Sequence, residues 1–322
     1  MRRNQRTDRG RLKWFLGFDG GGTKTHCVLL DERGRTRAES FAGPSNPRRV
    51  PFRLACRELK SAAQECLLSR RISPREITGV CAGIAGAGIS AMRFRIAAFL
   101  RRLFPAARVD VTTDLAIALD AAFTSGPGIV LVAGTGSAAL GRSSRGHEVR
   151  AGGKGPRHSD LGSAFDVGRR AIALAHRSPS KKENVSLRRK ILKSLRFASW
   201  HALDSRVGKN ADAVYPKIFP IVAREAMHGN PVARAILSGA AVELAQLVAQ
   251  VASRLRLRGR GVIVAQAGGM FGRSEFFDAA VRAEILKRLP GAKLRRLRIS
   301  PAEAAGRRAR QDWISRSPLA DK

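Results

Sequence analysis

The sequence predicts an α/β protein made of two related halves, and three observations lead to that prediction. An apolar run at 14–18 is followed by an acid, three glycines and a second apolar run. The same arrangement of strand-like run, Gly/Thr turn and strand-like run returns at 128–141. Strand-like and helix-like segments alternate after each turn, as they do in α/β proteins. A chain of 322 residues is long enough for two such domains.

The first half begins with apolar or alternating segments that predict a meander of three strands. Its first helix has an apolar face formed by Leu54, Leu59, Ala62 and Cys66, and short apolar runs after it predict buried strands. The elements expected in order are strands at 14–20, 25–31 and 35–42, a helix at 53–69, a strand at 77–84, a helix at 91–103 and a strand at 109–113.

The second half starts with the strand-like run at Gly128 and contains a long helical insert. After the insert we expect a strand at 262–267, a helix at about 274–288 and a last strand near 294–299. The domains expected are a basic, disordered tail at 1–13, a first domain at 14–114, a second domain at 115–306 with the helical insert at about 161–257, and a polar C-terminal tail at 307–322.

The chain is strongly basic, with 60 Lys and Arg against 25 Asp and Glu and a formal net charge of +35. Such a charge attracts anions, among them nucleotides, sugar phosphates and nucleic acids. The basic residues are spread over the whole length, and one Tyr and three Trp offer few surfaces for base stacking. We therefore rank nucleic-acid binding below the binding of small anionic ligands.

The cysteines and apolar segments indicate where the protein works. Cys27 and Cys81 lie in apolar runs, where reduced thiols are typical, and no cysteine pair has zinc-ligand spacing. The segment 232–251 is rich in Ala and Leu, but Arg234 and Glu243 interrupt it, which favours a packed helix over a membrane span. The basic N-terminal segment has no long apolar core of the kind found in secretory signals. These features predict a cytoplasmic protein without a membrane partner.

The glycine turns suggest phosphate binding. Glycines leave backbone N–H groups accessible to a ligand, and the hydroxyl of Thr23 can donate to phosphate oxygens. Asp19, at the end of the first strand, could hold Mg²⁺ directly or through water. The second turn, 134–137, would act with the first on one nucleotide. A glycine-rich hairpin without a ligand is the alternative interpretation of either turn.

Asp114 is the candidate general base for a phosphoryl transfer. It comes directly after a predicted strand and before a helix-like run. Carboxylates at the carboxyl ends of strands point toward the ligand in open α/β sheets. Asp is also a favoured residue at helix N-caps, so its position alone leaves both interpretations open.

An ordered set of short motifs gives the sequence a specific resemblance. The motifs are Asp19–Thr25, Gly43–Asn46, Ala82–Gly88, Thr113–Asp114, Ala133–Ser137, Gly152–Pro156, Asp160–Ser163 and Ala267–Gly269. Over roughly residues 14–306 the chain resembles the BadF/BadG/BcrA/BcrD ATPase family, in particular its N-acetylglucosamine and glucosamine kinase branch. That branch belongs to the superfamily of sugar kinases, heat-shock ATPases and actin.

The resemblance implies both a fold and an activity. The fold is a pair of ribonuclease H-like (actin-like ATPase) domains flanking a nucleotide and sugar cleft. The activity is ATP-dependent phosphorylation of an amino sugar, first of all N-acetylglucosamine, with ATP and Mg²⁺ as cofactors. Relatives of this kind are often homodimers, so a homodimer is expected here.

The resemblance also assigns roles to individual residues. Asp114 would contact the reacting sugar hydroxyl and act as the base. The nucleotide residues are Asp19, Gly20, Gly21, Gly22, Thr23, Gly134, Thr135, Gly136, Gly268 and Gly269, and Asp19 is also the residue for Mg²⁺. The sugar residues are Asn46, Asp114, Ser137, Gly153, Lys154, Gly155 and Asp160.

The chain departs from the family pattern near the expected sugar site. Lys154 stands where relatives usually carry Trp, and Leu161 stands where they usually carry Glu. Arg157 and His158 replace a pair that is commonly apolar. The added positive charge favours a neutral N-acetyl sugar or an acidic sugar over a sugar with a free ammonium group.

Two other functions stay open on the sequence. One is an ATPase that activates a 2-hydroxyacyl-CoA dehydratase type system, although the four cysteines do not show the arrangement that would hold an iron–sulfur cluster. The other is a non-catalytic regulator that binds sugar or nucleic acid on a kinase fold. The basic composition favours that regulator, but no helix-turn-helix pattern precedes residue 14.

Overall fold

The computed structural model describes residues 12–155, 160–177, 182–257 and 261–316. Contacts between residues divide the chain into two compact units, Met1–Ala121 with Ile299–Lys322, and Ala122–Arg298. Each unit contains one five-stranded mixed sheet with helices, which confirms the predicted α/β class. Most of the expected basic tail, residues 1–11, lies outside the described residues.

The sheet of the first unit has the strand order β3-β2-β1-β4-β5. Its strands are β1 (Trp14–Gly20), β2 (Thr25–Leu30), β3 (Thr36–Ala42), β4 (Ile77–Ile84) and β5 (Arg108–Thr112). The first three strands form an antiparallel meander, whereas β4 and β5 run parallel to β1. The parallel strands therefore end at one edge of the sheet, where ligand-binding residues gather in α/β proteins.

Helices cover both faces of this sheet. The helices are α1 (Phe52–Leu68), α2 (Ser90–Leu103), α3 (Asp114–Ala122) and α10 (Pro301–Ile314). One core cluster packs Leu16 and Phe18 of β1 against α1 and α2. A second cluster packs Phe15 on the opposite face against α3 and α10. Alternation along β1 puts Asp19 on the same face as Phe15, the face that α3 covers.

The second unit repeats the arrangement of strands. Its sheet has the order β10-β9-β6-β7-β8. The strands are β6 (Gly128–Ala133), β7 (Ser137–Arg142), β8 (Glu148–Gly152), β9 (Ile263–Ala267) and β10 (Lys293–Arg296). Strands β6 to β8 form an antiparallel meander, and β9 and β10 run parallel to β6. Both halves thus use a meander followed by parallel strands, which agrees with the two similar halves that the repeated glycine turns predicted.

Six helices are described in the second unit. They are α4 (Ala164–Arg177), α5 (Lys182–Leu195), α6 (Trp200–Val214), α7 (Phe219–Met227), α8 (Pro231–Arg254) and α9 (Glu275–Arg288). Helix α8 is long and apolar enough to cross a membrane by composition. Its residues Ala240, Leu244 and Val248 are instead almost fully buried in the core of this unit. The packed helix expected for 232–251 is therefore what the structure contains.

The C-terminal segment differs from the expected tail at 307–322. Residues 301–314 form α10, which packs against the first sheet rather than extending from the second domain. Its apolar contacts come from Ala302, Ala305 and Ala309, small residues at helical spacing. A Cβ on Gly17 would lie 2.0 Å from the carbonyl oxygen of Ala302, so α10 approaches β1 very closely.

Candidate functional site

The first glycine turn joins β1 to β2 at the carboxyl edge of the parallel strands. The backbone N–H of Gly21 donates to the carbonyl of Lys24 across 2.9 Å, which closes the turn. The carbonyl of Gly20 accepts from Ala85 N at 2.8 Å and ties the turn to the end of β4. Thr23 and Lys24 are exposed. The turn thus presents its tip to solvent while its base is fixed.

The loop that contains Asn46 packs directly on this turn. The backbone N–H groups of Ser45 and Asn46 both donate to the carbonyl of Gly21, each at 3.1 Å. A Cβ on Gly20 would lie 2.4 Å from Ser45 Oγ, so this position requires glycine. A Cβ on Gly86 would lie 2.5 Å from Asn46 Oδ1. Asn46 therefore lies beside the first glycine turn and the end of β4.

Asp19 and Asp114 occupy neighbouring positions at the same edge. In the sheet register Asp19 pairs with Gly83 of β4, and Gly83 pairs with Thr112 of β5. The Cα atoms of Asp19 and Thr112 are therefore about 10 Å apart, two strand spacings. Asp114 follows Thr112 by two residues and begins α3. The first unit thus brings the expected metal residue and the expected base to one edge of its sheet.

The carboxylates of Asp19 and Asp114 are close enough for the charge of one to act on the pKa of the other. Burial, and to a smaller extent the negative charge of Asp114, raises the pKa of Asp19 to about 7. The positive charge of Lys24 acts in the opposite direction and lowers this pKa. Two carboxylates that repel each other in a partly buried place are stabilised by a cation. The pair therefore suits Mg²⁺, whose preferred ligands are carboxylate, phosphate and water oxygens.

The hydrogen bonds at the start of α3 identify the residue that caps this helix, a role that was the alternative interpretation of Asp114. The hydroxyl of Thr113 accepts a hydrogen bond from Ala116 N at 3.2 Å, which is the bond that an N-cap residue makes. Asp114 is one residue further along, in the first turn of the helix. Capping of α3 is therefore performed by Thr113.

The second glycine turn and the Gly268 turn lie side by side in the second unit. Met270 N donates to the carbonyl of Ala133 at 3.1 Å. Gly268 has a φ of +98°, and a Cβ there would lie 2.3 Å from that same carbonyl oxygen. Within the second turn, Gly134 N donates to Gly136 O at 2.9 Å. Two of the segments assigned to the nucleotide are thus neighbours.

Asp160 lies against the second glycine turn and is only 6% exposed. A Cβ on Gly136 would lie 2.5 Å from Asp160 Oδ2, and Gly155 N donates to Asp160 Oδ1 at 3.2 Å. Ser137 is also buried, and its hydroxyl donates to the carbonyl of Leu161 at 2.7 Å. Three of the expected sugar residues therefore meet beside the second turn.

The segment 152–155 has a backbone that glycine favours. Gly152, Gly153 and Gly155 have positive φ angles of 73°, 71° and 112°. The guanidinium of Arg150 donates to the carbonyls of Gly152 and Gly153, and Lys154 is exposed between these glycines. The departures at Arg157 and His158 lie outside the described residues.

Sequence reasoning missed a buried carboxylate that holds the Asp160 segment in place. Asp166 of α4 accepts from Gly162 N at 3.0 Å and pairs with the guanidinium groups of Arg169 and Arg170 at 2.6 and 2.7 Å. Burial raises the pKa of Asp166, but the hydrogen bonds from Gly162, Arg169 and Arg170 outweigh it, so the pKa lies below its ordinary value. The signal in the sequence is an acid followed by basic residues three and four positions later.

Comparison with known proteins identifies the family. The model of the BadF/BadG/BcrA/BcrD ATPase family matches residues 16–305. An N-acetylmuramic acid/N-acetylglucosamine kinase of Clostridium acetobutylicum is 29% identical over 286 residues, which cover 88% of this chain and 94% of the relative. An N-acetyl-D-glucosamine kinase of Dictyostelium discoideum is 26% identical over 315 residues, which cover 90% and 96%. These relatives support the expected class of enzyme, a sugar kinase.

Solved structures agree with the fold. A Chromobacterium violaceum protein described as a candidate N-acetylglucosamine kinase matches with a TM-score of 0.71 and 21% identity, over 92% of this chain and 98% of that chain. A ROK family glucokinase of Streptomyces griseus, solved with glucose and AMPPNP, matches with a TM-score of 0.63 and 18% identity, over 92% and 99%. The family model covers most of the sequence and the fold agrees with it, so the chain belongs to the BadF/BadG/BcrA/BcrD ATPase family.

Proposed function

We propose that this protein is an ATP-dependent kinase that phosphorylates N-acetylglucosamine or a closely related amino sugar. Two curated relatives that match about nine-tenths of the chain carry N-acetylglucosamine kinase in their names. The observation that carries the proposal is the proximity of Asp19 and Asp114 at the carboxyl edge of the first sheet, next to a glycine turn. Phosphoryl transfer needs a cation site, a base and a phosphate cradle, and these residues supply candidates for each.

Asp114 is the proposed general base. It would accept the proton of the sugar hydroxyl as that oxygen attacks the γ-phosphorus of ATP. Asp19 would hold Mg²⁺, directly or through water, and the bound ion would neutralise charge on the transferring phosphoryl group. Among the described residues no cluster of three or more His, Cys, Asp or Glu is placed to hold a metal ion. Phosphate oxygens and water would therefore complete the ligands of the ion.

The nucleotide is assigned to the glycine turns. Backbone N–H groups of the first turn, with Thr23, would bind phosphate oxygens, and those of the second turn, with Thr135, would do the same. The turn at Gly268 and Gly269 follows β9 and lies beside the second phosphate turn, a place that suits contact with adenosine. Internal hydrogen bonds from the N–H groups of Gly21 and Gly134 hold these turns, so the remaining N–H groups are positioned before the ligand arrives.

The sugar is assigned to Asn46 and to the residues around Asp160. Asn46 and Asp160 would bind sugar hydroxyls, and the positive φ angles at 153 and 155 allow backbone to approach the sugar closely. Lys154 is exposed in this segment, and Leu161 takes the place of a second acid. Both favour an N-acetyl or acidic sugar over a sugar with a free ammonium group.

We also propose a cytoplasmic location and a homodimer. The four cysteines are buried free thiols, which fits a reducing compartment. Burial of all four cysteines also argues against the alternative function of a dehydratase activator, because an iron–sulfur cluster needs cysteine sulfurs that reach a common open site.

Light scattering on the purified chain measures the oligomeric state. For the proposed homodimer, the expected mass is twice the chain mass of 34.8 kDa.

A panel of sugars tests the proposed function. We expect ADP release that depends on N-acetylglucosamine, N-acetylmuramic acid or a related N-acetyl sugar. ADP release should be weaker when glucosamine is the acceptor. Mass spectrometry should find the matching sugar phosphate, because transfer to water would give ADP without it. Absence of sugar-dependent ADP release across the panel would refute a sugar kinase, and release with glucosamine above that with the N-acetyl sugars would refute the specificity argument.

A further inference from the structure

The loop after Asn46 carries an arginine over the first glycine turn. Ser45 N and Asn46 N fix the start of this loop on the carbonyl of Gly21. Arg49 N and Val50 N then donate to the carbonyl of Asn46 at 2.9 and 3.1 Å, which closes a tight turn. These four backbone bonds set the position of Arg49 relative to the glycines.

The side chain of Arg49 lies directly against Gly22. A Cβ on Gly22 would lie 2.8 Å from Cδ of Arg49, 3.2 Å from Nη1 and 3.3 Å from Nε. The φ angle of Gly22 is not in the left-handed region, so backbone conformation does not require glycine there. The absence of a side chain at Gly22 instead makes room for the guanidinium of Arg49, which is half-buried in this place.

The charge of Arg49 has no acidic partner in the described part of the chain. The arginines of this region that form ion pairs are others, namely Arg35, Arg37 and Arg57. Lys24 is the cation within the glycine turn, but its Nζ lies over the ring of Phe41 at 4.8 Å from the centroid. Among the residues that the structure describes, Arg49 is therefore a basic group held against the turn and without an acidic partner.

We propose that Arg49 binds the phosphate groups of the nucleotide at the first glycine turn. A guanidinium presents two parallel N–H donors that match two phosphate oxygens, and it binds phosphate more specifically than an ammonium group. Because its nitrogens already lie beside Gly22, little side-chain freedom is lost when the phosphate arrives. The proposal rests on the proposed function in one respect, that ATP is the nucleotide.

Calorimetric titration with Mg-ATP in the absence of sugar tests this role. We expect Arg49→Gln to weaken the affinity for ATP about 10- to 100-fold, the effect of losing hydrogen bonds to a charged group. Arg49→Lys keeps the charge and should recover part of that loss. Arg53→Gln, which removes an exposed arginine at the start of α1, is the matched control and should bind ATP like the unmodified protein.

A second variant, the KM for the sugar and the activity of the unmodified protein separate phosphate binding by Arg49 from other roles. Arg49→Met retains the aliphatic stem over Gly22 and removes the charge, so it carries the same expectation if Arg49→Gln does not fold. If Arg49→Met has an unchanged ATP affinity and a lower melting temperature, the role of Arg49 is limited to packing in the folded protein, and the proposal is overturned. An unchanged ATP affinity with a raised KM for the sugar would assign Arg49 to a sugar substituent and overturn it too. ATP binding by the unmodified protein without phosphorylation of any sugar would refute the kinase and leave the Arg49 comparison valid.

Discussion

At the scale of single residues, the site contains close approaches of polar side chains to glycines. Gly20, Gly22 and Gly136 each leave space that a neighbouring polar side chain fills, namely Ser45, Arg49 and Asp160. The sequence revealed the glycines and Asp160, because turns rich in glycine are recognisable as patterns. It did not reveal Arg49, because the direction of a side chain in a turn is not encoded in any periodicity.

Substitution of Gly136 tests the contact with Asp160. In Gly136→Ala the new Cβ would lie 2.5 Å from Asp160 Oδ2, so the carboxylate must move. We expect the KM for the sugar to rise about 10- to 100-fold, because a displacement of up to about 1 Å is enough to weaken the contact of a binding group with its ligand. Steady-state kinetics measures it, and a KM equal to that of the unmodified protein would separate Asp160 from sugar binding.

Gly208 provides the matched control for this experiment. A Cβ on Gly208 meets no atom within 4 Å, and the residue is exposed on α6. Gly208→Ala should leave the kinetics unchanged and raise the free energy of unfolding by about 0.5–1 kcal/mol, because alanine restricts the unfolded chain and favours helix.

At the scale of elements, the apolar runs predicted the strands well. Strands β1 and β4 were expected at the residues where they occur, because buried strands need continuous apolar sequence. Helix α10 was missed because its contact face consists of alanines at 302, 305 and 309, and because Arg, Glu, Gln and Asp occupy much of the rest of the helix. A face of small residues gives little hydrophobic signal, although it lets a helix approach a sheet closely.

Substitution of Gly17 tests the packing of α10. In Gly17→Ala the Cβ would lie 2.0 Å from Ala302 O and 2.2 Å from Gly306 N, and both atoms belong to backbone. We expect the free energy of unfolding to fall by about 1–3 kcal/mol, the usual cost of overpacking. Denaturant unfolding measures this change, and an unchanged midpoint would show that α10 does not lie on β1 as described.

At the scale of the whole molecule, basic groups outnumber acidic ones, and two of the buried acids, Asp31 and Asp166, are held by arginines. Asp31 accepts from the backbone N–H of Arg35 and from the guanidinium groups of Arg35 and Arg37, at 3.0, 3.1 and 2.8 Å. Burial raises the pKa of Asp31, but these hydrogen bonds and that from Arg33 N outweigh it, so the pKa lies below its ordinary value. Asp166 stands in the same situation in the second unit.

These two aspartates predict loss of stability in acid. A carboxyl group whose pKa is lower in the folded than in the unfolded protein stabilises fully above the unfolded pKa, about 4, and loses that contribution as the pH falls through the folded pKa. We expect the melting temperature to decrease steeply below pH 4. Asp31→Asn should be less stable at neutral pH and show a smaller decrease in acid, and an equal acid sensitivity in this variant would contradict the assignment.

The assignment of Asp114 as base is the central claim, and one variant tests it most directly. Asp114→Asn preserves the shape of the side chain and removes its ability to accept the proton. Calorimetry of Mg-ATP and of N-acetylglucosamine should give affinities near those of the unmodified protein, while kcat in ADP release should fall about 10²- to 10⁴-fold. Asp212→Asn, at an exposed position on α6, is the control and should keep full activity. Full sugar-dependent turnover by Asp114→Asn would contradict the account.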